Sequence, residues 1–148
     1  MMKAFLYCDG GSRCNPGDAG IGFVIKDEHG ANICCGSAFL GQATNNVAEY
    51  SALIWGLHNC RELGIEHLEV RADSNLVVNQ LKGLFKVKNE GLKPLYSSAY
   101  VLSLQFKTVN FQHVYRDDNT EADSLANIAM DTRSMSGNFK IPWSEQLI

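Results

Sequence analysis

The sequence predicts an α/β domain on a mixed five-stranded sheet, three antiparallel strands followed by two parallel ones, flanked by helices. Three observations carry this reading. Strand-like apolar runs fill residues 3–40 and give way to helical spacing at Val47. A short polar turn, Asp27-Glu28-His29-Gly30, separates two of the early runs and is suited to a hairpin. Beyond residue 47 helical and strand-like stretches alternate, which brings strands back in parallel through helical crossovers.

The first strand is expected over Lys3–Asp9, with Phe5, Tyr7 and Asp9 on one face and Ala4, Leu6 and Cys8 on the other. A loop rich in Gly, Asn and Pro should follow, where Gly10 and Gly11 allow a large polar ligand close to the backbone. The second and third strands are read at Gly20–Asp27 and Ala31–Leu40. Val47, Tyr50, Ile54 and Leu57 then mark a helix that Gly64 stops, with Gly56 suited to close packing on the sheet. His67–Ala72 is a short strand parallel to the first, and a helix, Asn75–Leu81, follows it.

Gly83–Lys93 reads as a loop carrying Lys86 and Lys88. Pro94 suits a helix start, and Leu95, Ala99, Leu102 and Phe106 form its buried stripe. Thr108–Val114 is the fifth strand, with His113 on its core side. Asp118 is the expected cap of a last helix, with Glu121 as capping-box partner and Ala122, Leu125, Ala126 and Ala129 as its apolar face. The domain is assigned to residues 1–130. Residues 131–138 read as a linker, and the apolar residues within 139–148, Trp143 among them, as a tail that packs back on the domain.

At 148 residues the chain is long enough for one domain with a real core. A net charge of −3 excludes a wholly basic nucleic-acid magnet, so any nucleic-acid contact must come from a local patch. The five cysteines have no zinc-ligand spacing and are read as reduced thiols, which points to the cytoplasm. No signal-peptide layout or membrane-spanning stretch is present, and no membrane partner is expected.

Four acids stand out. Asp9 ends a strand, Glu49 lies in the first crossover helix, Asp73 ends the parallel neighbour of the first strand, and Asp123 lies in the last helix. Each has an ordinary reading: turn former, capping-box member, helix cap, favourable charge in a first turn. The topology favours a joint one, because ligands in open α/β sheets gather beyond the carboxyl ends of parallel strands. Four clustered carboxylates repel one another, and divalent cations relieve the repulsion. Oxygen-only ligands suit Mg²⁺ or Mn²⁺, and two such ions ~4 Å apart can activate water and stabilise a leaving oxygen in phosphodiester cleavage.

Asp9-Gly10-Gly11-Ser12 with Asn15-Pro16-Gly17, Thr44-Asn45-Asn46-Val47-Ala48-Glu49-Tyr50, Ala72-Asp73-Ser74, His113-Val114-Tyr115-Arg116 and Asn119-Thr120-Glu121-Ala122-Asp123-Ser124-Leu125-Ala126 together resemble type 1 ribonuclease H over residues 3–130. The resemblance implies the ribonuclease H-like fold and an endonuclease that cuts the RNA strand of RNA–DNA hybrids, leaving a 5′-phosphate. It implies metal ligation by Asp9, Glu49, Asp73 and Asp123. Gly10, Gly11, Ser12, Asn15, Thr44, Asn45 and Asn46 are then candidate substrate contacts, as are Lys86, Lys88 and Asn89 on a binding ridge. Double-stranded RNA is a second candidate substrate, and a monomer is expected. The chain is a short form: it lacks the family's long basic insertion with its Trp residues, and a loop His after the fifth strand. Arg116 is the candidate replacement for that His, holding a scissile-phosphate oxygen. Two rivals share the fold: a silent module that binds hybrid or scaffolds a partner, and another metal nuclease of the resolvase or transposase type.

Overall fold

A computed structural model describes residues 2–142. The elements are β1 (Lys3–Arg13), β2 (Gly17–Asp27), β3 (Asn32–Ala43), α1 (Asn45–Glu62), β4 (His67–Ala72), α2 (Asn75–Leu81), α3 (Lys93–Ser103), β5 (Thr108–His113), a 3-10 turn at Arg116–Asp118, α4 (Thr120–Thr132) and β6 (Met135–Gly137). They build one sheet in the order β5-β4-β1-β2-β3-β6. β1, β2 and β3 form the antiparallel meander, β4 runs parallel to β1, and β5 runs parallel to β4.

Two differences from the sequence reading concern strands. The expected loop after Asp9 is strand: β1 continues through Gly10, Gly11 and Ser12 to Arg13, paired with Ile21, Gly20, Ala19 and Asp18 of β2. Glycine weakens a strand, yet here it sits in a ladder whose partner strand is itself fixed between β1 and β3. The expected linker contains the sixth strand, β6, which pairs Met135, Ser136 and Gly137 with Ala38, Ser37 and Gly36. Three exposed residues, Met135, Ser136 and Gly137, carry no alternation, so backbone pairing alone makes this strand.

Beyond β6 the chain packs back on the domain. Phe139 meets Phe23 edge-on at 5.8 Å between centroids and Trp55 at 5.4 Å. The Asn59 side chain brackets the Lys140 backbone, accepting from its N–H at 2.7 Å and donating to its C=O at 2.9 Å. Trp143 and the rest of the tail lie outside the described residues.

Helix α1 is the centre of one layer. Every residue from Tyr50 to Cys60 is buried, as expected of a helix covered on nearly all sides rather than of a surface helix. It lies directly on β1: a Cβ at Gly56 would come 2.6 Å from Leu6 Cδ1, and one at Gly10 would come 2.2 Å from the Ala48 carbonyl oxygen. The opposite face of the sheet takes α4. There a Cβ at Gly22 would sit 2.3 Å from the Ala122 carbonyl oxygen, and Gly22 is the ladder partner of Asp9. Bare glycine backbone therefore lets α1 and α4 descend onto the sheet from both sides beside Asp9.

The caps also differ from expectation at one place. Thr44 caps α1 (Val47 N–H to Oγ1, 3.2 Å) and Ser74 caps α2 (Val77 N–H to Oγ, 3.2 Å), which leaves Glu49 and Asp73 free of capping duty. Asp118 does not cap α4. Asn119 holds that position without a side-chain cap bond, and Glu121 pairs instead with Lys26 (2.7 Å) and accepts from Asn32 (3.1 Å). His113 is half-buried on the edge strand, its ring edge-on to Tyr115, and is not a core residue. His58 and His67 have partners unforeseen from sequence: Arg61 and Glu62 for the first, the Thr108 hydroxyl at 2.9 Å for the second.

The glycine contacts give a differential prediction. Gly22→Ala forces a methyl into the α4 backbone and should cost about 1–3 kcal/mol in denaturant unfolding. Gly11→Ala, whose Cβ would meet only Met130 Cε at 3.7 Å, should be close to neutral.

Candidate active site

The parallel ladders bring the first two acids together. Cys8 of β1 is opposite Ala72, the last residue of β4, so Asp9, the next residue of β1, and Asp73, just past the end of β4, come side by side. Asp9 is not at the end of β1; it stands where the pairing with β4 stops while the pairing with β2 runs on. Glu49 arrives from the first turns of α1 over the bare Gly10 backbone, whose N–H donates to Glu49 Oε1 at 3.1 Å. Carboxylate oxygens of Asp9, Glu49 and Asp73 all lie within 4.8 Å of one another, with Asp9 buried and the other two half-buried. Asp123, on α4, joins these three in a cleft of about 320 Å³ that Gly10, Gly11, Asn45 and Arg116 also line.

Three carboxylates this close, one of them 7% exposed, cannot all be ionised in isolation. Burial pushes the Asp9 carboxyl far above the usual range, and the charges of Glu49 and Asp73 and contact with the Glu49 and Asp123 side chains raise it further. Burial also lifts Glu49, to about 7; Asp73 adds to the rise, while the hydrogen bonds from Asp9 and the Gly10 N–H and the charge of Arg116 oppose it. Without a cation, Asp9 and Glu49 therefore share a proton between them. The donor set is all oxygen, with no His or Cys ligand among the three, which fits a hard divalent cation that replaces that proton. Cys8, directly behind the acids, is buried; burial first, then the charges of Glu49, Asp9 and Asp73, keep it a neutral thiol.

The other candidate residues divide into two groups. Ser12, Asn15, Thr44 and Asn45 form a bonded corner at the start of α1. Asn45 Oδ1 accepts from the Ser12 N–H (2.7 Å), Asn15 Oδ1 accepts from the Asn45 N–H (3.0 Å), and the Ser12 hydroxyl donates to the Ala43 carbonyl (2.7 Å). The oxygens of both amides are therefore used on backbone, and their NH₂ groups remain as outward donors; Asn46, next in the helix, is half-buried. Lys86, Lys88 and Asn89 lie apart from the acid cleft, exposed on the loop after α2. That loop is tethered: Leu84 and Phe85 N–H groups donate to the Asn79 carbonyl, and the buried Gln80 amide reaches the Lys86 carbonyl at 3.5 Å.

Two residues of the site had no role in the sequence reading. Asn127 lines the cleft with Met130, and its Nδ2 donates to the Asp123 carbonyl at 3.0 Å. Asn119 lies beneath the cluster at 2% exposure, with Nδ2 2.9 Å from the Cys8 carbonyl and 3.5 Å from Asp73 Oδ2. The signal for both was their four-residue spacing from Asp123 on one helix face.

The raised acids make stability depend on pH with a definite sign. Without a cation, the native state binds a proton at Glu49 that the unfolded chain has already released above its ordinary value of 4.5, until pH passes about 7. Native stability therefore falls as pH rises through that window. Thermal and denaturant unfolding in EDTA between pH 5 and 8 should show Asp9→Asn gaining on the parent by an amount on the order of 1–3 kcal/mol toward the upper end.

A family model described as reverse transcriptase-like matches residues 7–129. The bifunctional protein Rv2228c of Mycobacterium tuberculosis is 46% identical over 136 residues, which is 91% of this chain and 37% of that protein; the chain thus spans about a third of this relative's length. The solved N-terminal RNase H domain of that protein superposes with a TM-score of 0.88 at 44% identity, covering 89% of this chain and 96% of the solved one. LC11-RNase H1, isolated from compost and solved in complex with an RNA/DNA hybrid, gives a TM-score of 0.83 at 41% identity over 88% and 98% of the two chains. Among the described residues no helix is long and apolar enough to cross a membrane. With the fold, the order of the motif blocks and the acid cluster all in agreement, the chain belongs to the type 1 ribonuclease H family.

Proposed function

We propose that this chain is an endonuclease that hydrolyses the RNA strand of RNA–DNA hybrids and leaves a 5′-phosphate. The observation that carries the proposal is the convergence of Asp9, Glu49 and Asp73 within 4.8 Å at the floor of a cleft that Asp123 completes. The hybrid as substrate is supported by the similar LC11 enzyme, whose structure holds one. The four acids would hold two Mg²⁺ or Mn²⁺ ions, which would supply an activated water and neutralise charge on the scissile phosphate and leaving oxygen. Asp9 on β1, Asp73 just past the end of β4, and Glu49 and Asp123 from helices on opposite faces of the sheet would hold these ions between them.

The remaining residues hold the hybrid. The NH₂ groups of Asn15 and Asn45 are donors for base edges or sugar oxygens, because their carbonyl oxygens are committed to backbone. Gly10, Gly11 and Ser12 keep the cleft wall low, and Thr44 and Asn46 sit at the same helix start. Lys86, Lys88 and Asn89 meet phosphates from a tethered loop, giving a modest, salt-sensitive share of the affinity. Arg116, in the wall of the acid cleft, is a donor to a scissile-phosphate oxygen in the place of the family's loop His. The described cysteines are free thiols, in keeping with a cytoplasmic enzyme.

Cleavage of labelled hybrid in Mg²⁺, with double-stranded RNA, double-stranded DNA and a four-way junction alongside, tests the reading. RNA-strand cutting of hybrid, abolished by EDTA and by Asp73→Asn, is expected; cutting of the junction alone, or hybrid binding without turnover in either metal, would refute it. Arg116→Ala should lower the cleavage rate by roughly 10²-fold with Mn²⁺ affinity unchanged. Lys86→Ala with Lys88→Ala should weaken hybrid binding and make the slope of log affinity against log salt shallower by about one to two.

A further inference from the structure

Asn119 is bonded to the segments that carry Asp9, Asp73 and Asp123, though not to α1. Its Nδ2 donates to the carbonyl of Cys8, the residue before Asp9, at 2.9 Å, and lies 3.5 Å from Asp73 Oδ2. Its own carbonyl accepts from the N–H of Asp123 at 3.1 Å, and its N–H donates to the Arg116 carbonyl at 2.9 Å. One residue thus touches β1 at Cys8, immediately before Asp9, the side chain of Asp73, the backbone of Asp123 and the turn that carries Arg116. The side chain is 2% exposed, and Oδ1 has no hydrogen-bond partner among the described residues. A helix cap does not account for this arrangement, since the side chain makes no cap bond to α4. Leaving a buried amide oxygen unpaired is unfavourable, so the side chain sits where its NH₂ group is used rather than where both ends are satisfied.

We propose that Asn119 is the positioning residue of the metal site. Its NH₂ group orients the Asp73 carboxylate relative to Asp9, and its backbone sets the position of Asp123 along α4, so that ligands from three elements meet the cations in one geometry. The donor to Asp73 Oδ2 holds this carboxylate from behind, as outer partners of ligating carboxylates do. This rests on the metal-dependent reading above, but it concerns metal geometry and is tested without turnover.

Side-chain amide resonances of ¹⁵N-labelled protein, followed during Mg²⁺ addition, give the first readout. The Asn119 NH₂ signals should shift in step with metal binding and stay constant under an equal ionic strength of NaCl; metal binding that leaves them unmoved overturns the proposal. Asn119→Leu keeps the approximate shape and removes the donor without adding a charge, and Asn119→Ala removes the side chain. In whichever variant remains folded, calorimetric Mn²⁺ affinity should fall about tenfold, within the 10–100-fold range for such outer partners. On hybrid, kcat should fall at least as far, with KM within twofold of the parent. Mn²⁺ affinity and kcat within twofold of the parent would overturn the proposal, as would a loss confined to melting temperature. Failure of the parent itself to cut hybrid would refute the proposed function and leave the amide and calorimetric tests standing.

Discussion

Burying a carboxylate at Asp9, next to Glu49 and Asp73, is unfavourable for the bare protein, and the fold is arranged so that the acids cannot move apart. β1 is an interior strand, hydrogen-bonded on both sides up to Cys8 and on one side beyond it. α1 meets β1 at Gly10 of the strand and through its own Gly56, and α4 meets β2 at Gly20 and Gly22, all at distances that admit no side chain between. Neither helix can retreat without opening these close contacts. Rigidity of this kind converts mutual repulsion into cation affinity: the energy that would separate the acids in a softer frame is instead relieved by binding positive charge.

The same frame explains the division of labour around the cleft. Three of the acids come from strands or helices and Asp73 from the residue just after β4, while most groups read as substrate contacts come from the end of β1, a helix start and a tethered loop. The corner of Ser12, Asn15, Thr44 and Asn45 spends its oxygens on backbone and presents NH₂ groups outward, a polarity suited to an acceptor-rich ligand such as a nucleic acid. With a net charge of −3 the chain has no general attraction for such a ligand, so local donors and bound cations must supply it.

Much of this was legible in the sequence. The meander, the two parallel strands and the first two helices followed from period changes and turn residues, and Gly56 was recognised as a packing glycine because nothing else excused it inside a helix. The four acids became meaningful once the strands carrying Asp9 and Asp73 were parallel neighbours. What stayed hidden depended on partners distant in the chain. Gly10 and Gly11 looked like loop because their strand character comes from β2, and Gly10 serves α1 rather than a ligand alone. β6 has no pattern of its own and exists because β3 offers an open edge. Asp118 had the right chemistry for a cap, but Asn119 holds that place with its side chain directed to Cys8 and Asp73 instead.

The central claim is that the acid cluster binds two divalent cations when substrate is present. Electron paramagnetic resonance of Mn²⁺, titrated into the protein with a hybrid whose scissile linkage cannot be cleaved, counts them directly. The account predicts two ions bound per chain, coupled through space, with Asp123→Asn reducing the number to one. Binding of no ion, or of ions that Asp9→Asn and Asp73→Asn leave undisturbed, would contradict it.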